Sequence, residues 1–394
     1  MHKYTRIVSS LLADGSLCRW SDGQESITPT IYFRSVSAVA SFFNTDIVLM
    51  QNGSIIMSAL IGDQATDITA EIYKRLGGGT RDLVSEIYMY KGILAARAGN
   101  CVCTVNPRRI QDICLDSKLH TFSRGISLTR FGKNHGFVRT NDGCLYLTEG
   151  ERAYDSIYGS FGYMDLVQIA FADAHNIRDI ICGQLYSLFI MENDSIYVQG
   201  RPCADDMGQQ IGIQPLELCR TEHIVNVIAH NEYVFYITAE GICYASYISG
   251  RTKCIKSNES KYPVLDKHFA SLLKPLAGLF VEDVFVAHRS FIIRHDGGSL
   301  CLLPKRPVLY DIGSAYDDVT AIPLPFFDDK HIVGITSVYR RIYFTTAEGL
   351  VYQSGRRTFV ENRTAEKVEF FDEHPVAVKS TQPRIASGRS CLDD

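Results

Sequence analysis

The chain has 394 residues, 46% apolar and 21% charged, with 40 basic and 44 acidic side chains and a net charge of −4. A balance this close to zero offers no global attraction for phosphate or anionic lipid, so binding to nucleic acid or to a membrane surface by bulk charge is excluded. No apolar run reaches the length of about 18 residues that a membrane span needs, and the opening decapeptide has no signal-type apolar stretch.

Taken in order, the chain opens on a strand, Ile7 to Ala13, a turn at Asp14-Gly15, and a return strand, Ser16 to Trp20. A second unit runs through 36–40, 47–50 and 55–57. Ile68, Ile72 and Leu76 at helical spacing then predict a helix over 67–76, capped at Thr66 or Asp67 and stopped by Gly77-Gly78-Gly79. Those glycines follow a helix and do not open one, and no Gly-Lys-Ser/Thr ending is present, so a phosphate loop is not indicated. Third and fourth units lie at 87–105 and 127–148, and an aromatic segment (Tyr154, Tyr158, Phe161, Tyr163) reads as loop packing.

The stretch 181–212 holds the clearest unit. An apolar run, Leu188 to Met191, meets a polar tip, Glu192-Asn193-Asp194; beyond it Ile196 and Val198 alternate with polar neighbours, and Gly200 ends the strand. That is a hairpin. A sixth unit runs from Val225 to Tyr244. The segment 249–278 reads as a polar loop and a short helix with Leu265, Phe269, Leu272 and Leu273 on one face; it carries Arg251, Lys253, Lys256, Lys261, Lys267 and Lys274 against Glu259 and Asp266. The seventh and eighth units cover 284–303 and 332–355. Pro375 to Lys379 supplies a late strand that would pair with the first unit, which has no strand before it. Residues 1–380 thus form one domain, followed by a polar tail, 381–394.

Aligned on their turns, the copies sit at Asp14-Gly15, Asn52-Gly53, Gly99-Asn100, Asp142-Gly143, Asn193-Asp194, Glu240-Gly241, Asp296-Gly297-Gly298 and Glu348-Gly349. From Asp14 to Glu348 is 334 residues over seven intervals, about 48 each, a repeat-array period. The second residue past each turn is Leu17, Ile55, Val102, Leu145, Ile196, Cys243, Leu300 or Val351, apolar in every copy. Gly15, Gly53, Gly143, Gly241, Gly298 and Gly349 are the structural turn positions, where positive φ is needed. The 12 cysteines contain no Cys-x-x-Cys pair. Cys18, Cys144, Cys243 and Cys301 fall just past turns, as small core fillers would, which reads as reduced thiols in an intracellular, cytoplasmic or nuclear protein.

These residues resemble the repeat of the regulator of chromosome condensation family: an apolar strand, Cys-Gly, two spacers and His-Ser/Thr, then a second strand, an Asp-Gly turn and an apolar-Tyr-x-Trp-Gly return. Cys182-Gly183-Gln184-Leu185-Tyr186-Ser187 matches with Tyr in place of His, and Gly132-Lys133-Asn134-His135 keeps the His. Val351-Tyr352 with Gly355, Leu17 to Trp20, and Gly208-Gln209-Gln210-Ile211-Gly212 follow the remainder. The resemblance spans nearly the whole chain, is strongest in units five and eight, and marks a divergent member. It implies an all-β fold, a β-propeller of four-stranded blades. Family members usually have seven blades; the hairpins here count eight.

No catalytic constellation is legible. Gly-x-Ser-x-Gly is absent, the carboxylate pairs Asp205-Asp206, Asp317-Asp318 and Asp328-Asp329 are merely adjacent, and no His-x-x-x-His spacing supports a zinc site. No catalytic residue, cofactor or metal is expected. Loops on a rigid scaffold favour binding. The expectation is a non-catalytic protein-interaction scaffold using Arg251, Lys253, Lys256, Lys267, Tyr339, Arg340 and Arg341 as partner-binding residues. The alternative that the resemblance brings is a guanine-nucleotide exchange factor for a small GTPase, with neither membrane nor nucleic acid as partner.

Overall fold

The computed structural model describes residues 7–21, 29–42, 45–59, 65–76, 83–90, 93–105, 117–131, 136–150, 164–183, 186–200, 214–215, 223–230, 233–247, 271–287, 290–305, 319–338, 341–355, 359 and 363–378. Nearly all of them are strand or tight turn. They form eight antiparallel sheets, each a simple meander in sequence order. The first has three strands among the described residues, Ile7–Leu11, Leu17–Ser21 and Thr30–Phe33. The other seven, over 36–67, 86–121, 126–169, 177–215, 224–272, 281–323 and 332–367, have four strands apiece. The fold is all-β, a β-propeller of eight sheets, which fixes the blade number at the hairpin count and not at the family's usual seven. By compactness the chain divides into two units, 1–23 with 28–182, and 24–27 with 183–394.

The core explains why these sequences make such sheets. Apolar clusters lie between consecutive sheets. Ile47, Leu49 and Ile55 pack against Leu94, Ala96 and Cys103; Phe235 and Ile237 pack against Phe291 and Ile293; Ile292 and Leu302 pack against Phe344. A second strand is therefore covered on both faces, and Tyr186–Met191 and Tyr233–Thr238 are buried at every residue. Two-sided burial selects a continuous apolar run over a polar–apolar alternation. The turns then reverse the chain. In the fifth sheet Asp194 N–H bonds Met191 O at 3.0 Å, Asp194 takes φ 62°, and Asn193 Oδ1 accepts from Ser195 N at 3.1 Å. Asn and Asp are the residues that tolerate this geometry.

The connectors to the next sheet repeat as well. Leu273/Leu276/Val281, Leu324/Phe327/Ile332 and Val368/Phe371/Val376 share one spacing. In each, the first residue donates to a carbonyl of the third strand (Cys243, Leu300, Val351), and one short helical turn buries the second residue. Val281 N–H then bonds Gly241 O at 2.8 Å, as Val376 N–H bonds Gly349 O at 2.9 Å. Val376 thus stands where the opening residue of a further first strand would stand. That position falls inside the segment 375–379 expected as the late strand, of which Lys379 lies outside the described residues.

Two local expectations change. The helix covers Thr69–Arg75, with Ile68 as N-cap and no side-chain cap bond from it. Asp67 Oδ1 instead accepts from Thr69 N at 2.9 Å, so the carboxylate acts one residue outside the cap. The helical face over 265–273 is replaced, at its described end, by a strand, Ser271–Leu272, and a single 3-10 turn, Lys274–Leu276. Leu272 is 41% exposed while Leu273 is 1% exposed. Adjacent residues facing opposite ways are the period of a strand, not of a helix. Leu265 and Phe269 lie outside the described residues.

Candidate functional site

An antiparallel meander sorts its connectors by end. The links between second and third strands, and those that lead to the next sheet, leave from one end; the links between first and second strands, and between third and fourth, leave from the other. The second-to-third turns are tight. Gly15, Gly53, Gly143, Gly241 and Gly349 have φ of 75° to 85°, and Gly298 has φ 116°. Several of these turns are covered by the neighbouring connector: a Cβ on Gly143 would lie 2.8 Å from His175, and one on Gly349 would lie 2.6 Å from Val376 O, whereas one on Gly298 would meet nothing within 4 Å. The opposite strand ends are joined by long stretches of sequence, 106–116, 151–163, 201–213, 248–270 and 305–321, whereas one long link, 68–85 with the helix Thr69–Arg75, leaves from the tight-turn end.

Arg251, Lys253, Lys256 and Lys267 belong to 248–270, and Tyr339 and Arg340 to the link 339–340. Meander order assigns both links to the same end of their sheets. These six residues lie outside the described ones, as do His135 and Gly208 to Gly212. Arg341 is described. It opens the second strand of the eighth sheet, opposite Gly355, and its guanidinium donates to Gln353 Oε1 in the next strand.

The first strands of consecutive sheets run against one another within each unit, and there the polar groups gather. Arg97 Nη1 donates to Glu86 Oε1 and Thr129 Oγ1, both at 2.9 Å, and Nη2 donates to Ile126 O at 3.0 Å. Tyr88 Oη donates to Glu86 Oε2 at 2.6 Å. Burial first, and then the Glu86 carboxylate, push the Tyr88 phenol well above its ordinary value. Arg130 Nε donates to Asp179 Oδ1 at 2.7 Å; burial pulls the guanidinium down, but Asp179 outweighs it and the net shift is upward. A second polar group is sealed between the first and second sheets. Arg19, 7% exposed, bonds Asp46 Oδ2 and Ser58 Oγ at 2.8 Å each, lies 4.4 Å from the Tyr32 ring centre, and leaves its buried Nε without a hydrogen-bond partner.

Chemically, these are ion pairs, complete on the carboxylate side. Each carboxylate in them is already held by an arginine, so neither network offers a free base. Burial pushes the Cys18, Cys103, Cys243 and Cys301 thiols up to about 12, which keeps them neutral and unreactive at physiological pH. Among the described residues no cluster of three or more His, Cys, Asp or Glu could hold a metal ion.

One element of the repeat pattern, Cys182-Gly183-Gln184-Leu185-Tyr186, is explained by contact. A Cβ on Gly183 would sit 2.7 to 2.9 Å from three carbons of the Tyr186 ring, so Cys-Gly-x-x-Tyr is a glycine emptied for the aromatic three residues on. Tyr186 Oη reaches Tyr233 O in the next sheet at 3.4 Å. Sequence reasoning missed the arginine column. Arg97, Arg139 and Arg294 pair with Val102, Leu145 and Leu300, the apolar column past the turn. Reading that alignment across the turn, and not only after it, would have shown the column.

No family model matches the chain, and no curated protein matches it. Solved structures are similar at low identity. One is that of Kap60 bound to yeast RCC1 (Prp20), at 10% identity and TM-score 0.45, over 84% of this chain and 73% of that one. Another is Prp20p from Saccharomyces cerevisiae, at 11% identity and TM-score 0.45, over 97% and 87%. A third is Hsv2 from Kluyveromyces lactis, at 9% identity and TM-score 0.43, over 79% and 92%. These are likenesses of fold, and the propeller assignment rests on the sheets themselves.

Proposed function

We propose that the protein is a non-catalytic platform that binds another protein through the sheet ends joined by 248–270, 305–321 and 339–340. One observation carries this reading: the sorting of connectors. Tight turns close one end of each sheet, and in the sheets over 224–272 and 281–323 the longest links, 248–270 and 305–321, leave from the other. Packed two-sided strands hold those ends in place, so a partner would meet strand ends set on a rigid frame. The basic and aromatic residues Arg251, Lys253, Lys256, Lys267, Tyr339, Arg340 and Arg341 fall at that end, and Arg and Tyr are the residue types that anchor protein interfaces.

The test is affinity capture with the wild-type chain and with a Lys253→Glu/Lys256→Glu/Lys267→Glu variant, quantified by mass spectrometry. A specific set of proteins lost on charge reversal supports the reading; identical sets from both chains overturn it. A second arm adds the protein to small GTPases loaded with fluorescent nucleotide. Faster release would make the platform an exchange factor, since such a factor favours the nucleotide-free state of its partner.

A further inference from the structure

Three arginines occupy one register position and do one job. Arg139 Nε donates to Ser127 Oγ at 2.9 Å, and its Nη1 donates to Ile177 O. Arg294 forms an ion pair with Glu282 (Nε to Oε2 3.1 Å) without hydrogen-bond geometry at Nε, and its Nη1 donates to Ile332 O at 3.2 Å. Arg97 binds Glu86 and, through Nη2, Ile126 O. In every case one side of the guanidinium holds a residue near the start of its own sheet's first strand. The other side holds the carbonyl of the residue that opens the next sheet's first strand. Ile126, Ile177 and Ile332 are all buried. Ser127 and Glu282 sit where the first strand slips register, between Ile126 and Leu128 and between Val281 and Asp283. A bulge there breaks the ladder locally and would otherwise be its weak point. A planar guanidinium with donors on both sides can span this gap, whereas an ammonium is a point donor.

The remaining sheets hold Leu11, Leu49, Ile190, Ile237 or Thr345 at the same register position. A sheet therefore forms without the arginine. We propose that Arg97, Arg139 and Arg294 are latches, each tying the opening of the next first strand to its own sheet, and that they decide which first strands resist local peeling. The device is a set of joints of two strengths: first strands 126–131, 177–182 and 332–338 are latched, while 36–42, 86–90, 224–230 and 281–287 are not.

Hydrogen exchange read by mass spectrometry tests this in the full chain. Loss of one charge-assisted bond to a buried carbonyl corresponds to about tenfold in a local opening equilibrium. Arg139→Met is expected to speed exchange about tenfold in 177–182 and, apart from the amides at the Ser127 bulge, to leave 126–131 unchanged. Arg97→Met is expected to do the reverse, and Arg294→Met to act on 332–338. Arg139→Lys, which keeps the charge and loses the fork, is expected to give the same footprint as Arg139→Met and serves if the methionine variant does not fold. Arg124→Met, at an exposed arginine paired with Asp142, is the silent control. Faster exchange spread evenly over all first strands, or none in the strand named for each variant, overturns the proposal.

Discussion

Replacing Gly349 by alanine separates two costs that usually come together. Its φ is 83°, so any Cβ carries left-handed strain of about 1–2 kcal/mol. That Cβ would also lie 2.6 Å from Val376 O, 2.8 Å from Pro375 Cβ and 2.9 Å from Val376 N. Two of these atoms are backbone, so the relief is to lift 375–376 off the turn. Doing so breaks the Val376–Gly349 bond, worth about 1 kcal/mol net, and adds overpacking of about 1–3 kcal/mol. Gly278 is the matched control, with φ 86° and nothing within 4 Å of its added Cβ. Gly278→Ala carries the strain alone. The difference, about 2–4 kcal/mol, corresponds to roughly 5–15 °C in Tm for a unit of about 200 residues. Thermal unfolding of the two variants by circular dichroism reads it directly. Equal Tm losses would refute the reasoning, because they would mean that nothing rests on the Gly349 turn.

Other outcomes follow from the same contacts. Asp46→Asn leaves the buried Arg19 guanidinium uncompensated and is expected to cost about 3–5 kcal/mol in urea unfolding, while Arg19→Met/Asp46→Leu recovers most of it; a double variant no better than the single contradicts the pairing. Gly183→Ala is expected to destabilise by driving a methyl into the Tyr186 ring, and Gly183→Ala/Tyr186→Leu to recover part of the loss, read as the coupling in a double-mutant cycle. Four thiols raised from 9.0 to about 12 mean that the folded state holds protons which the unfolded chain releases. Their contribution is complete below pH 9 and is lost as pH rises from about 9 toward 12, so stability is expected to fall across that window and to fall less in a Cys243→Ala/Cys301→Ala chain than in the wild type, relative to each chain's stability at pH 8.

Much of this architecture was written in local signals. Turn glycines and Asn/Asp tips need particular backbone angles, so Asp14-Gly15, Asn193-Asp194 and Glu348-Gly349 could be placed before any coordinates. The apolar column from Leu17 to Val351 counted eight hairpins but left eight blades and the seven that the resemblance implies both open, and the sheets decide for eight. Short fourth strands were harder: Ser271–Leu272 has two residues, too few for a period, and its leucines mimicked a helical face. The arginine latches were hidden because their partners are backbone carbonyls some 30 to 40 residues on, which no composition or spacing reveals. Of the expected partner-binding set only Arg341 falls among the described residues.

Cross-linking with an amine-reactive reagent, on the protein purified with its captured partner, bears most directly on the central claim that one end of the sheets does the binding. Lys253, Lys256, Lys261, Lys267 and Lys305 belong to that end by meander order, and Lys274, Lys330 and Lys367 to the tight-turn end. Partner cross-links are predicted on the first group and not the second. Cross-links concentrated on Lys274, Lys330 and Lys367 would contradict the account.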